Sequence, residues 1–301
     1  MFLKAAFKNA SVFVQFLMLL AVVSVCTLII TGFVIVYQLI SIKMGASPDI
    51  QQNLFNHPAV VRGMQFLQAL MIFFVPAIIC AWLFSDNYKE YLHADQPIHL
   101  PVAVWAVISM IVAVPFLNLT YVFNQQMVFP DALKGLENWM KASEAEADKL
   151  TDLLLDTKNI PTIIFNFLTV CVIAAICEEF MFRGLLQTLF GRIFRNPHII
   201  IWVVAILFSA VHLQFYGFIT RMLLGAWLGY LMYFTKTIWI PVLAHFTNNF
   251  LTVVAYYMFR NTPDEMQKID AIGSGSTWWL AVASLALFFF CFNQIKKATV
   301  S

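Results

Sequence analysis

Two carboxylates and an arginine lie close together in a segment of the chain that is otherwise apolar. Glu178 and Glu179 are adjacent, and Arg183 follows four residues after Glu179. Residues four apart share one face of a helix, so Glu179 and Arg183 can form an ion pair. Glu178 lies about 100° around the helix from Glu179, and a glutamate in an apolar environment can act as a base near neutral pH. A purely structural ion pair is the alternative, and it explains Glu179 and Arg183 better than Glu178.

Two later apolar segments each carry one histidine. His212 follows Phe208 by four residues, and Asn249 follows His245 by four residues. A histidine can share an activated water or donate a proton to a leaving amine, and His245 and Asn249 can donate hydrogen bonds to an oxyanion. Alternatively, Glu178, His212 and His245 can bind zinc with a water in the open position. Both alternatives describe hydrolysis of a peptide bond, although either histidine alone could be an ordinary core residue.

The composition indicates that these residues lie in a polytopic membrane protein. Of the 301 residues, 61% are hydrophobic and 11% are charged, whereas a soluble domain has about 25% charged and about 45–50% apolar residues. This composition excludes soluble, disordered, collagen-like and disulfide-framework proteins. The net charge of +2 gives no indication of a nucleic-acid partner. The expected environment of the chain is therefore the lipid bilayer.

Eight apolar segments approach or exceed the roughly 20 residues that a membrane-spanning helix needs. They comprise residues 11–42, 62–85, 100–122, 160–190, 197–213, 218–235, 237–259 and 277–295. We therefore predict an all-α fold, a polytopic transmembrane helical bundle of about eight spans that forms a single integral membrane domain over residues 1–301.

The histidine-bearing spans raise a question of depth. His212 lies near the end of the fifth span, whereas His245 lies well inside the seventh. An antiparallel arrangement alone does not bring the two to one level. The sequence therefore requires that the fifth helix starts deeper than expected or continues past His212.

Basic residues beside the spans predict the orientation. Lys4 and Lys8 precede the first span, and Lys296 and Lys297 follow the last. An even number of spans places both basic termini on one side, although lysines and arginines are equally numerous on the two sides. We expect cytoplasmic N and C termini in a plasma membrane of bacterial (inner-membrane) type.

The stretch 123–159 is the one sizeable polar part of the sequence. Pro130 and Asp131 are typical of a turn followed by a helix start. Leucines recur at helical spacing among charged residues after this turn. Either an amphipathic helix or helix pair at the membrane surface or a solvated connector fits this pattern.

The three groups of residues together resemble the CPBP family, which comprises CAAX proteases and bacteriocin-processing enzymes and is also called the ABI family. Its pattern is EExxxR, then FxxxH, then HxxxN or HxxxD, each on a separate membrane helix. The matching residues here are Glu178, Glu179 and Arg183, then Phe208 and His212, then His245 and Asn249. The order and all three spacings match, and the resemblance covers a core of about residues 160–260.

The resemblance implies an intramembrane endopeptidase that acts on a membrane-bound peptide or protein, in a cavity open to the cytosolic side. Eukaryotic members remove the last three residues of prenylated CAAX proteins. The implied roles are a water-activating base (Glu178) with its partner (His212), oxyanion donors (His245 and Asn249) and residues that order the site (Glu179 and Arg183). The family is commonly called a metallopeptidase family, but a metal-free mechanism is also proposed. The resemblance therefore implies two possible mechanisms, one with Zn²⁺ held by Glu178, His212 and His245 and one without a metal.

Two other functions compete with proteolysis. A non-catalytic scaffold or bacteriocin-immunity protein would use the same cavity to bind a peptide. A transporter would use Glu178, His212 and His245 as a proton relay, but the inverted repeats typical of transporters are not found in the sequence. Detection of cleaved products separates proteolysis from both.

Overall fold

The computed structural model describes residues 3–45 and 57–300. Within these ranges the chain consists of helices, turns and connecting segments, with no β-strand. The ten main helices are α1 (Val12–Lys43), α2 (Pro58–Phe84), α3 (Leu100–Gln125), α4 (Lys134–Leu155), α5 (Ile160–Phe190), α6 (Pro197–Ala210), α7 (Phe218–Thr235), α8 (Trp239–Phe259), α9 (Pro263–Asp270) and α10 (Trp278–Val300). A single helical turn, Tyr88–Tyr91, follows α2. The predicted all-α class is confirmed.

Five segments of the described chain are long and apolar enough to cross a membrane. They are α1, α2, α3, α5 and the segment Asp264–Thr299, which contains most of α10. The other three predicted spans correspond to α6, α7 and α8, which have 14, 18 and 21 residues. Each of the eight predicted segments thus coincides with a helix, and about eight spans fit the structure.

Polar residues start several of the helices by accepting hydrogen bonds from the first-turn N–H groups. The Ser11 hydroxyl accepts from the N–H of Val14 at 3.3 Å, before α1. Asn159 accepts from the N–H of Thr162 at 3.1 Å, before α5. Asn196 does the same for α6. These caps fix where the apolar helices begin.

Helices α2 and α5 contain wider π-helical turns. These turns are Ala69–Phe74 in α2, and Phe167–Ile173 and Phe180–Leu186 in α5. The segment Ala174–Glu179, between the two π turns of α5, is a regular α-helix. π-Helical turns are rare and often occur at functional sites. They change which face of the helix the following residues occupy.

The described residues form two compact units, and each is considered by itself. The first comprises the described part of Met1–Leu92 together with Lys149–Ile193. Its interior contains many small residues, among them Ala77, Cys80 and Ala175, all fully buried. Gly184 lies close to Leu92, where an added Cβ would be 3.0 Å from the Leu92 Cδ2 atom. Small residues allow membrane helices to approach closely.

The second unit comprises His93–Asp148 and the described part of Phe194–Ser301. Its core is formed mainly by α3, α7, α8 and the end of α10, with residues such as Met110, Leu228 and Ile240. The buried Trp227 donates from Nε1 to the Ser109 hydroxyl at 3.2 Å, which satisfies its only polar atom. That the whole chain is a single integral membrane domain stays a prediction.

The polar stretch 123–159 contains one long helix. After Pro130, a short 3₁₀ turn (Asp131–Leu133) leads directly into α4. The predicted turn and helix start at Pro130 and Asp131 agree with this arrangement. Residues Lys134–Asp148 of α4 belong to the second unit.

Candidate active site

The carboxylates of the first motif lie on the regular segment of α5. Glu179 and Arg183 form an ion pair, with 2.7 Å between Glu179 Oε1 and Arg183 Nη1, and both side chains are fully buried. The pairing expected from their spacing is therefore present. Arg183 lies in the π turn Phe180–Leu186 that follows. A charged pair without solvent contact needs this direct bond, since burying an isolated charge is costly.

Glu178 differs from its neighbour in its surroundings. Its residue is half-buried, whereas Cys177 and Glu179 on either side of it are buried. The regular α-helical geometry of Ala174–Glu179 places Glu178 on a different side of the helix from Glu179. The two adjacent carboxylates are thus held in different environments.

Aromatic contacts support the π turn that carries Arg183. The rings of Phe74 and Phe180 have centroids 5.3 Å apart, and those of Phe73 and Phe182 are 5.9 Å apart. Both contacts join the π turn of α2 to the second π turn of α5. This packing fixes the backbone on which the buried ion pair depends.

The two histidines contact the same phenylalanine ring in the second unit. Phe208 is buried, and its ring centroid lies 5.1 Å from that of His212 and 5.8 Å from that of His245, with interplanar angles of 63° and 82°. His245 is buried, and His212 is half-buried. The structure thus brings the two predicted histidines together around Phe208.

Helix α6 ends earlier than predicted. It ends at Ala210 rather than near residue 213, so His212 lies in the turn that follows. Leu213 has a φ of 54°, in the left-handed region, which non-glycine residues rarely adopt. The chain therefore turns directly after His212. The expected continuation of the helix past His212 was wrong, because a turn after α6 presents this histidine.

The last turn of α6 sets the orientation of the His212 ring. Its Nδ1 atom lies 2.7 Å from the carbonyl oxygen of Phe208. A ring nitrogen that faces a carbonyl oxygen must carry the hydrogen, so Nδ1 donates this bond. In a neutral imidazole, Nε2 is then the atom that accepts a proton. This is the state that a histidine needs to take up a proton during catalysis.

Helices α3 and α4 hold the turn that carries His212. Asn124 donates from Nδ2 to the Phe215 carbonyl at 3.0 Å and accepts from the Ile219 N–H at 2.7 Å. Glu144 accepts a hydrogen bond from the Tyr216 N–H at 3.2 Å. Neither residue was predicted from the sequence; a polar Asn124 at the end of an apolar span was the available signal. The stretch 123–159 therefore takes part in positioning the turn after His212.

A ring contact adds to this support. The rings of Trp139, on α4, and Phe215 have centroids 5.0 Å apart. Arg221, at the start of α7, donates to the side-chain oxygen of Gln214 at 2.7 Å. This arginine therefore also stabilises the turn.

Asn249 lies one turn after His245 on α8, as the spacing predicts. Its Oδ1 atom accepts a hydrogen bond from Nδ2 of Asn248 at 3.2 Å. This bond fixes the side-chain amide of Asn249 relative to Asn248, and its Nδ2 atom is a hydrogen-bond donor. A donating amide is what stabilisation of an oxyanion requires.

A glycine allows α7 to pack closely against α6 beside the histidines. A Cβ added at Gly225 would lie 3.0 Å from Phe208 Cδ1 and 3.3 Å from the Ala205 Cα. Contacts this short force the neighbouring atoms to move. Gly225 therefore fixes the position of Phe208 and with it the surroundings of both histidines.

Comparison with protein-family models gives a match that covers the candidate residues. Residues 160–251 match the family described as type II CAAX prenyl endopeptidase Rce1-like. The resemblance to CAAX proteases is confirmed. This match covers about a third of the chain and supports a CAAX-type intramembrane endopeptidase in general. No curated protein and no solved structure gives a significant match.

The matched segment, residues 160–251, runs from the start of α5 into α8. It contains all six candidate catalytic residues, Glu178, Glu179, Arg183, His212, His245 and Asn249. The first three belong to the first unit and the last three to the second. Their catalytic roles stay predictions.

The side-chain types of Glu178, His212 and His245 are those of catalytic zinc sites. Among the residues that the structure describes, however, no group of three or more His, Cys, Asp or Glu side chains is arranged to hold a metal ion. The predicted zinc set therefore stays a prediction, and its test is a direct measurement of metal content.

Proposed function

We propose that the chain is an intramembrane endopeptidase that hydrolyses a peptide bond in a membrane-associated protein or peptide. The observation that carries this proposal is the family match over residues 160–251, which contains all six candidate residues. The arrangement of the two histidines around Phe208 supports the same conclusion. Binding of a peptide alone does not need a base together with an oxyanion donor.

In the proposed reaction, Glu178 removes a proton from water. The resulting hydroxide attacks the carbonyl carbon of the scissile bond and forms a tetrahedral oxyanion. Glu178 is assigned as the base rather than Glu179, because the fully buried ion pair with Arg183 already engages the Glu179 carboxylate. Glu179 and Arg183 serve to order the site.

His245 and Asn249 donate hydrogen bonds to the oxyanion in this scheme. The Asn249 amide supplies an N–H donor, and its Oδ1 accepts a hydrogen bond from Asn248. His212 receives at Nε2 the proton that Glu178 took from water and passes it to the amine as the carbon–nitrogen bond breaks. The Nδ1 bond to the Phe208 carbonyl leaves Nε2 as the atom for this transfer. The products are a carboxylate and a free amine, and water supplies the atoms that complete them.

Zinc participation is a separate part of the proposal. Bound zinc would polarise the substrate carbonyl or activate the water, with Glu178, His212 and His245 as its ligands. Metal content of the purified protein, measured by mass spectrometry before and after chelation, separates the two mechanisms. A stoichiometric metal whose removal abolishes cleavage supports zinc, whereas full activity without metal supports the side-chain mechanism.

The proposed location is a plasma membrane of bacterial type with both termini in the cytoplasm. Five segments that are long and apolar enough to cross a membrane and the family match support an integral membrane protein. Reporter fusions at each end of the chain test the orientation. Cytoplasmic reporter activity at both ends is the expected result.

A peptide-cleavage assay on the purified chain in phosphatidylcholine vesicles tests the proposed function. The substrates are a farnesylated peptide that ends in a CAAX sequence and the same peptide without the prenyl group. Wild-type protein is expected to release a shortened peptide, and Glu178→Gln is expected to release it at least a hundredfold more slowly. Glu146→Gln, a change at an exposed carboxylate of α4, is the matched control and should retain activity. Peptide that is bound but never cut by the wild type would favour the scaffold or immunity function.

A further inference from the structure

The second unit contains a cavity of about 480 Å³ that the proposed reaction does not use. It lies among α3, α6, α7 and α10, and its walls are almost entirely apolar. At one end it is lined by residues including Leu117, Leu223 and Leu285. Its size lies within the roughly 300–1,000 Å³ that is typical of ligand-binding pockets.

The opposite end of the cavity carries polar groups. The Lys296 ammonium lies 4.9 Å from the ring centroids of both Phe234 and Phe292. His198 Nδ1 and the Tyr230 hydroxyl are 2.8 Å apart and also line this end. The cavity therefore has a long apolar part and one cationic, hydrogen-bonding end.

The shape of the cavity follows the helices. Its lining on α10 extends from Leu285 to Lys296, a rise of about 16 Å along a helix. On α7 it extends from Leu223 to Phe234. An elongated apolar cavity with a single polar end matches an amphiphile whose tail lies along the helices.

The charge near the polar end is mainly positive. Arg195, Lys236 and Lys297 flank the same helix ends as Lys296, and α6, α7, α8 and α10 contain no aspartate or glutamate. The loop before α3 accepts a hydrogen bond from the Thr237 hydroxyl at the Gln96 carbonyl. Asp95 is the one acidic residue between Leu92 and Leu100 in this loop. Lys296 forms no ion pair among the described residues. A ligand with an anionic group would therefore complement the positive charge at this end of the cavity.

We propose that this cavity binds one acyl chain of an anionic phospholipid, with the lipid phosphate beside Lys296. Basic pockets between membrane helices on the cytoplasmic side are suited to anionic headgroups. Apolar cavities exclude water and take up apolar ligands, and the surrounding bilayer supplies acyl chains at high concentration. The site does not depend on the proposed proteolysis.

Native mass spectrometry of the full chain in detergent, titrated with phosphatidylglycerol or phosphatidylcholine, tests this proposal. We expect one lipid to be retained, with phosphatidylglycerol preferred. Lys296→Gln should reduce the preference about fivefold, the contribution of one lysine near an anionic lipid. Lys297→Gln removes the same charge one residue later, at a side chain that does not line the cavity, and should reduce the preference clearly less.

A second variant tests the apolar part of the site. Ala113 lines the cavity and is buried, and Ala113→Phe would fill part of it. This variant should lose the retained lipid while keeping the unfolding temperature of a folded protein; if it does not fold, the pair of lysine variants still decides. Equal lipid preference in Lys296→Gln and Lys297→Gln would overturn the proposal, as would equal binding of the two lipids. Displacement of the lipid by a farnesylated peptide would also overturn it and assign the cavity to a substrate tail.

Discussion

The carboxylate cluster of α5 and the histidine cluster of the second unit are stabilised in different ways. Glu179 and Arg183 belong to one helix and bond directly to each other in a fully buried environment. The histidines lie on separate elements and meet only because both contact the ring of Phe208. The first cluster follows from local spacing, whereas the second depends on tertiary packing.

This difference determines whether a substitution in each cluster mainly lowers the stability or the activity of the protein. A change in the ion pair leaves a charge in an apolar interior, so it acts mainly on the stability of the first unit. A change around Phe208 or the turn after His212 displaces an imidazole without exposing a buried charge. Such changes should therefore act on activity more than on folding.

The largest effect on activity is expected for substitution of Glu178 in the carboxylate cluster or of His212 in the histidine cluster. If Glu178 and His212 act in one reaction, Glu178→Gln and His212→Ala should each lower kcat/KM about 10²- to 10⁴-fold, the usual contribution of acid–base groups. The double variant should lose no more activity than the less active of the two single variants. Residues that act as a unit in one reaction do not have additive effects. Kinetics on the cleaved peptide measure all three. Independent, multiplying losses would contradict a shared reaction.

Removal of one partner of the ion pair should act on stability. Arg183→Met leaves the Glu179 carboxylate in a fully buried site, at a cost of about 3–5 kcal/mol in the free energy of unfolding. Thermal unfolding in detergent measures this change. The double variant Glu179→Leu with Arg183→Met should recover most of the lost stability while remaining inactive. A double variant as unstable as the single one would show that the pair is not the source of the effect.

A substitution at Gly225 should disturb the histidine cluster specifically. The added methyl of Gly225→Ala would lie 3.0 Å from Phe208 Cδ1, and overpacking of this kind costs about 1–3 kcal/mol. Because Phe208 contacts both histidines, we expect kcat/KM to fall about tenfold with the fold retained. Gly32→Ala, where an added Cβ meets no atom within 4 Å, is the control and should change neither property. Equal activity in both variants would argue against a positioning role of Phe208.

The turn after His212 offers a smaller test. Glu144→Ala removes the acceptor for the Tyr216 N–H, and the loss of one hydrogen bond costs about 1 kcal/mol. Activity should fall about threefold to fivefold, with the unfolding temperature little changed. Glu146→Ala, two residues later on the same helix, should have no effect. Identical activities for the two variants would show that α4 does not position the turn.

The smallest expected effect is a dependence of stability on pH. Hydrogen bonds from Lys141 and Lys134 hold the pKa of Glu137 on α4 below its usual value. A carboxyl with a lowered folded pKa stabilises the protein above its unfolded pKa, about 4.3 for glutamate, and this contribution is lost as the pH falls through the folded pKa. Wild type should thus be more stable than Glu137→Gln at pH 7, and the difference should vanish in acid. Unfolding temperatures between pH 7 and pH 3 measure it, and a difference that is constant across this range would refute the assignment.

Sequence reasoning was most accurate where a long apolar run had clear ends. The bounds of α5 and α7 match the predicted spans, since Asn159 caps the first and the run of α7 ends at Lys236, in the left-handed region. The predicted end of α6 at residue 213 was wrong, because the helix ends at Ala210. Leu213 adopts a left-handed conformation without being glycine or asparagine, so no residue type marked the turn.

The candidate site was predictable in its residue types but not in its assembly. Spacing of four residues predicts the bond between Glu179 and Arg183 because a helix alone defines it. The meeting of His212 and His245 depends on the turn and on the buried ring of Phe208. The supporting contacts of Asn124 and Glu144 join segments about 90 and 70 residues apart. No local pattern encodes contacts of this range.

The most direct test compares the protein termini of membranes from cells that express wild type or Glu178→Gln at equal abundance. If the chain is an endopeptidase that uses Glu178 as its base, new termini will appear with the wild type, disappear with Glu178→Gln and persist with the control Glu146→Gln. These termini will also identify the substrate. Identical termini in wild-type and Glu178→Gln membranes would contradict proteolysis and favour a peptide-binding role.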